Sequence, residues 1–171
     1  MQHSSATRVI AVIISVCLRL SVSEAANFTS TAGYTFSYPD EWTTSSKPDA
    51  PFAEIASASD IFRGQGMLSM NSAVVGVYPL SGDPKEFWSV TQSTSSLSNV
   101  TEVHAPGGEL TQVDYEDKMA DGLTYRHRDT FKKISGRWFD VSLTYHSGDP
   151  RASTYLDTLA GIAQSLAATD H

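Results

Sequence analysis

Between Leu123 and His146 the chain alternates apolar and polar residues with a period of two. In the second half of this stretch Phe139, Val141, Leu143 and Tyr145 fall on one face. Trp138, Asp140, Ser142, Thr144 and His146 fall on the other. In the first half Leu123, Tyr125 and Phe131 share a parity with His127 and Asp129, while Thr124, Arg126, Arg128 and Thr130 take the other. Such alternation marks strands with one buried and one wetter face. The spacing predicts two long strands joined by a turn at Lys133-Ile134-Ser135-Gly136, with a helix docked on the apolar face.

The same reading extends to both sides. Tyr34, Phe36 and Tyr38 alternate in a strand that ends at Pro39-Asp40, and Trp42 is expected to pack back on the sheet edge. Ala26 to Ala32 reads as a short polar lead-in, and Thr43 to Phe52 as a loop. Glu54 to Asp60 and the β-branched run Ala73 to Tyr78 read as strands. Gly76 in the second of these marks a bulge or a close backbone approach. Ile61 to Asn71, with two glycines, reads as a surface loop.

Asp83-Pro84-Lys85-Glu86 has the form of a helix start, with Asp83 as N-cap and Pro84 as first helical residue. Phe87, Val90, Thr94 and Leu97 follow at helical spacing, and Ser93 to Ser98 keeps this helix short. Val100 to Ala105 and Leu110 to Tyr115 are strands about a Pro106-Gly107-Gly108 turn. Asp121-Gly122 is a hairpin signal. Asp149-Pro150 repeats the helix-start device. Ala152, Tyr155, Leu156, Leu159, Ile162, Ala163 and Leu166 then give the clearest amphipathic helix, with Ala167 to His171 expected to fray. The order of elements predicts an α+β fold, an αβα sandwich with a central, mostly antiparallel sheet.

Composition narrows the function classes. The 171 residues carry a formal net charge of −7, and the isoelectric point is near 5.0. Nucleic acid is therefore not an expected partner, since phosphate binding shows as a basic footprint. Arg8 followed by the apolar run Val9 to Leu18, with small residues at Ser23 and Ala25, has the pattern of a secretory signal. The run is too short to span a bilayer. The expected organisation is a leader over 1–25 and one domain over 26–171, with no transmembrane segment in the mature chain. The single cysteine, Cys17, lies in the leader, which removes disulfides, thiol nucleophiles and thiolate metal sites from the mature domain.

Several segments resemble the PsbP-domain family. GYTFSYPDEW (Gly33 to Trp42) is similar to its strand-Tyr-Pro-x-x-Trp opening. AVVGVYPL (Ala73 to Leu80) resembles its central valine-rich strand, and DPKEFW (Asp83 to Trp88) the start of its first helix. The gap from Gly136-Arg137-Trp138 to the terminal helix also fits, so the resemblance spans Gly33 to Ala167. It implies an αβα sandwich, residence in the chloroplast thylakoid lumen and an auxiliary role at a photosystem in assembly, stability or calcium retention. Two departures favour a PsbP-like auxiliary protein over the oxygen-evolving subunit itself. Only Ala26 to Ala32 precede the first expected strand, where that subunit carries a long arm. The leader is also too short to hold both a transit peptide and a lumen signal. The alternative is an exported binding protein of the same fold unrelated to photosynthesis.

The chemistry-bearing residues give two expectations. No Gly-x-Ser-x-Gly elbow is present, and the chain is read as a non-enzyme whose serines serve loops and caps. Arg126, His127, Arg128, Lys132, Lys133 and Arg137 form the only basic cluster. Arg126, Arg128, Lys132, Lys133 and Arg137 are read either as a partner-binding patch or as a solubilising hairpin tip that discourages edge pairing. For a metal, His104, His146 and the run near Asp121 supply scattered donors, of which Asp114, Glu116, Asp117 and His127 are taken as the candidates. Calcium, implied by the resemblance, would use such oxygens. The other reading is a solvated acidic turn, and a half-buried, hydrogen-bonded His127.

Overall fold

In the computed structural model, residues 24–47, 49–57, 68, 71–118 and 122–169 are described. Residues 1–23 of the expected leader, residues 58–60 of the expected strand, most of the loop over 61–71, Asp121 and the last two residues of the chain lie outside them. Ten strands and two helices are present among the described residues. Strands β1 (Ala25–Ser30), β2 (Tyr34–Pro39) and β10 (Ala167–Ala168) form a small antiparallel sheet in the order β1-β2-β10. The large sheet holds β3 (Thr43–Thr44), β4 (Ala53–Ala56), β5 (Ala73–Pro79), β6 (Leu97–His104), β7 (Leu110–Lys118), β8 (Thr124–Ile134) and β9 (Arg137–His146). Its order is β3-β4-β5-β9-β8-β7-β6, and every pair is antiparallel. The α+β class and the antiparallel central sheet are as the pattern predicts.

The β8–β9 hairpin is the axis of this sheet. Its loop is Ser135-Gly136, with φ of 48° and 83°, and Ile134 pairs with Arg137 across it. A two-residue turn with both φ positive matches the twist of the flanking strands. The closing pair lies one residue later than expected, and it sets the register of both strands. Phe139, Val141, Leu143 and Tyr145 then share one buried face, as predicted. They pack with Val75, Val77 and Ile55 of the neighbouring strands against α2 (Ala152–Ser165) and the small sheet. Tyr34 meets Phe139 edge-on at 5.3 Å, and Trp42 meets Tyr155 at 6.2 Å.

The opposite face carries α1 (Pro84–Thr94). The start of α1 is as expected: Asp83 Oδ1 accepts the Glu86 backbone N–H at 3.0 Å, and Pro84 opens the helix. Trp88, Leu110, Val113 and Phe131 form a second core beneath it, with Phe87 edge-on to Phe131 at 6.1 Å. The layers are thus α2 with the small sheet, the large sheet, and α1.

Three expectations are corrected. The polar lead-in is a strand: β1 pairs along the whole of β2, and Phe28 stacks on Phe36 at 5.3 Å. Ala167 and Ala168 do not fray but add to β2 as β10. The Asp149-Pro150 device does not cap α2, whose N-cap is Arg151 without a side-chain bond. Buried Asp149 instead accepts the backbone N–H groups of Asn71 (2.6 Å) and Arg151 (2.8 Å) and the Tyr155 hydroxyl (3.2 Å). A carboxylate satisfied by a distant loop is not free to cap.

Candidate functional site

The register of β8 and β9 brings two aspartates to the face under α1. Asp129 lies opposite Ser142 and Phe131 opposite Asp140, so the aspartates are diagonal neighbours on one sheet face. Both are buried, at 2% and 3% exposure. Strand interiors disfavour Asp, and two on one buried face require either partners or a purpose. Asp129 has partners. The Ser142 hydroxyl donates to its Oδ1 at 2.6 Å, and the Tyr115 hydroxyl is also bonded to it. Asp140 Oδ1 is enclosed and has no hydrogen-bond partner.

These groups form the floor of a cavity of about 560 Å³ between α1 and the sheet. Tyr78, Tyr115 and Phe87 stand at its sides, and Glu86 and Val90 at its α1 rim. Tyr78 is held by donating to Glu54 Oε1 at 2.8 Å. Its ring lies over Gly76, where a side-chain carbon would collide with it. Gly76 therefore marks neither a bulge nor a close backbone approach but the Tyr78 side chain folding back over its own strand.

Burial sets the electrostatics of this site. Loss of hydration pushes the Asp129 carboxyl up to about 6, against the opposing pull of its Ser142 and Tyr115 bonds. Asp140 is pushed well above the ordinary carboxylate range, first by burial and then by the nearby Asp129 charge. Burial raises both Tyr115 and Tyr78, helped at Tyr115 by Asp129 and Asp140 and at Tyr78 first by Glu54 and then by the same two carboxylates, so both stay as neutral donors. Asp129 and Asp140 are the site residues that the sequence reading passed over.

The five basic residues do not form one free patch. Arg126, Arg128 and Lys132 share the face of Phe139 and α2, whereas Lys133 is on the face of Trp138. Arg126 and Lys132 are six residues apart on one strand, about 20 Å at 3.3–3.4 Å per residue. Arg126 pairs with Glu116 at 2.8 Å. Arg128 grips Asp114 with two bonds, at 2.5 and 2.9 Å. Lys132 Nζ donates to the carbonyls of Ala163 (2.7 Å), Gln164 (3.1 Å) and Leu166 (2.8 Å) at the end of α2. There a cation satisfies carbonyls left open by the helix and meets the negative end of its dipole. Lys133 lies over the Trp138 ring, and Arg137 lies over Phe139 and donates to the Ala32 carbonyl. Lys133 and Arg137 are the two exposed members at the hairpin tip.

The metal candidates also separate. Asp114 and Glu116 face one way, toward Arg128 and Arg126. Tyr115 and Asp117 face the other, toward His127 and Tyr125. Glu116, bonded by Arg126 and Asn99, is held below the usual carboxylate range. His127 stacks flat on Tyr115 at 4.6 Å, bonds Thr144 Oγ1 through Nδ1 at 3.0 Å, and is kept neutral by burial. Period-two alternation thus divides donors that are neighbours in sequence. Asp114, Glu116, Asp117 and His127 do not converge as a calcium site. Among the described residues no three His, Cys, Asp or Glu side chains group as metal ligands.

With this geometry in view, known proteins give a limited comparison. No family model matches the chain, and no curated protein does. Solved structures similar to it include LpqN of Mycobacterium tuberculosis, described as involved in cell envelope biogenesis. LpqN is 14% identical over 86% of this chain and 91% of its own, with a TM-score of 0.41. They also include CyanoP, the cyanobacterial PsbP of Synechocystis sp. PCC 6803. CyanoP is 12% identical over 91% of this chain and 98% of its own, with a TM-score of 0.39. Likeness at this level carries no argument about function or partner.

Proposed function

We propose that this chain is a PsbP-like auxiliary protein, a non-enzymatic binding module that docks on the lumenal surface of a photosystem. The observation that supports the reading is where the resembling segments fall. GYTFSYPDEW spans β2 and the turn to Trp42, AVVGVYPL spans β5, and DPKEFW caps and opens α1. Their aromatic residues anchor both cores, Tyr34, Phe36 and Trp42 in one and Trp88 in the other. The shared residues are therefore those that set the layers of the domain. The expected place of action is the thylakoid lumen. No described helix is long and apolar enough to cross a membrane.

The docking contact that fits this role is the tip of the β8–β9 hairpin, through Lys133 and Arg137. Arg126 and Arg128 already hold acidic partners, and Lys132 holds the end of α2. Calcium retention is part of the role the resemblance implies, but no step is assigned to it, because its candidate residues do not converge.

The reading is tested by recovering the tagged protein from thylakoids of its own source. Photosystem subunits should come with it, and Lys133→Glu with Arg137→Glu should reduce that recovery while the melting temperature holds. Recovery free of photosystem subunits would contradict the reading and leave the exported binding protein of the same fold.

A further inference from the structure

The cavity under α1 has a floor of unusual chemistry. Two carboxyl-bearing residues from adjacent strands line it, and Asp140 Oδ1 is enclosed without a partner. Leaving a carboxyl oxygen in that condition is costly unless something satisfies it. Among the described residues no Lys, Arg or His lines the cavity. The groups that face the pair are Tyr78 from β5, Tyr115 from β7 and Glu86 from α1, with the Asp114 charge acting from further along β7. None of them is cationic.

We propose that this cavity is a binding site for a small organic cation, an alkylammonium, with Asp140 and Asp129 as its acceptors. Three features select that class. An ammonium brings three N–H donors, and the floor is lined by two acceptor carboxyls, Asp129 and Asp140. The sides are the rings of Tyr78, Tyr115 and Phe87, which bury an alkyl stem. The cavity of about 560 Å³ has room for a small organic molecule.

A bare divalent ion fits less well. Calcium takes six to eight oxygens, and here only two carboxylates converge. Glu86 at the rim adds a third negative charge on the path inward, where it draws cations toward the mouth. The site also explains why the pair lies on a buried face, since the bound ammonium satisfies both carboxylates at once. Because the empty pair holds protons more tightly than ordinary carboxyls, uptake of an ammonium releases protons, and affinity rises from pH 5 to pH 8.

The test is calorimetric titration of the full-length protein at pH 7.5 with four probes: n-butylamine, 1,4-diaminobutane, n-butanol and calcium chloride. Both amines are expected to bind with release of protons, and n-butanol is not. Asp140→Asn is expected to weaken the amines at least about tenfold, the loss typical of a charge-assisted bond. Glu86→Gln should weaken them less. Chemical-shift changes on the wild-type protein provide a check that needs no variant. They should centre on Tyr78, Tyr115, Asp129 and Ser142. Equal binding of amine and alcohol, calcium binding that excludes the amine, or no binding at millimolar concentration each overturns the proposal. So do shift changes centred elsewhere.

Discussion

Asp129 and Asp140 stand diagonally across β8 and β9 on one sheet face, the first bonded by Ser142 and Tyr115, the second with an enclosed oxygen that meets nothing. That asymmetry shapes the stability of the domain as well as its binding chemistry. A buried carboxyl that prefers its proton favours the folded state in acid and weakens it as the pH rises.

The sign and size of this effect are measurable. Asp129 releases its proton near 3.8 in its ordinary setting and near 6 in the fold. Its contribution is fully present below about pH 4 and is lost as the pH rises to about 6, on the order of 3 kcal/mol. Asp140 is shifted in the same direction. Relative to wild type, Asp140→Asn should therefore gain stability as the pH rises from 4 to 8 in urea melts. The opposite shifts of Glu116 and His127 are common to both proteins and cancel. A pH-independent difference would show that the aspartates do not share a buried site.

Phe139 is 3% exposed and packs edge-on to Tyr34 in the main core. Phe139→Ala should cost about 3–5 kcal/mol, the range for deleting a buried aromatic. A loss below about 1 kcal/mol in denaturant unfolding would refute the assignment of this face to the core.

Lys132 is a helix-terminal clasp with three carbonyl partners. Lys132→Met keeps much of the stem and removes the charge, and should cost about 1–2 kcal/mol. Arg126→Met removes a half-exposed cation paired with Glu116 and bonded to Tyr145, and should cost under about 1 kcal/mol. Equal losses from the two would mean that Lys132 does not hold the end of α2.

Gly76→Ala puts a methyl group against the Tyr78 ring. The ring must leave its bond to Glu54, and the expected cost is about 1–3 kcal/mol. The same change moves one side of the cavity, so a crystal structure of the variant should show Tyr78 displaced and the cavity reshaped.

The sequence made the sheet and both helices legible because their information is local. Alternation in β9, Pro84 after Asp83, and the spacing from Tyr155 to Leu166 each decide an element without reference to a distant residue. What was not legible depends on partners far along the chain. The strand at Ala25–Ser30 has Phe28 as its single large apolar residue and forms by pairing with β2. Asp149 has the same sequence context as Asp83, yet its oxygens go to Asn71 and Tyr155. The basic run looks continuous in sequence, but alternation and the cross-strand acids Glu116 and Asp114 divide and neutralise it.

The aspartate pair lies between these cases. Asp129 and Asp140 were visible as acidic residues inside strands. Their shared face follows once the turn is placed at Ser135-Gly136, because Ile134 then pairs with Arg137 and every later pair is set. With the turn placed one residue earlier, that register was not available. The cavity above them depends on where α1 lands, which no local pattern encodes.

The proposed function is tested most directly by fractionating detergent-solubilised thylakoid membranes on a sucrose gradient and following the native protein by immunoblot. As a photosystem auxiliary protein it should sediment with a photosystem complex at low salt and move to the top of the gradient as salt rises, because the hairpin-tip contact is electrostatic. Sedimentation as a free domain of 18.5 kDa or less at low salt, with no photosystem subunit recovered by cross-linking, would contradict it.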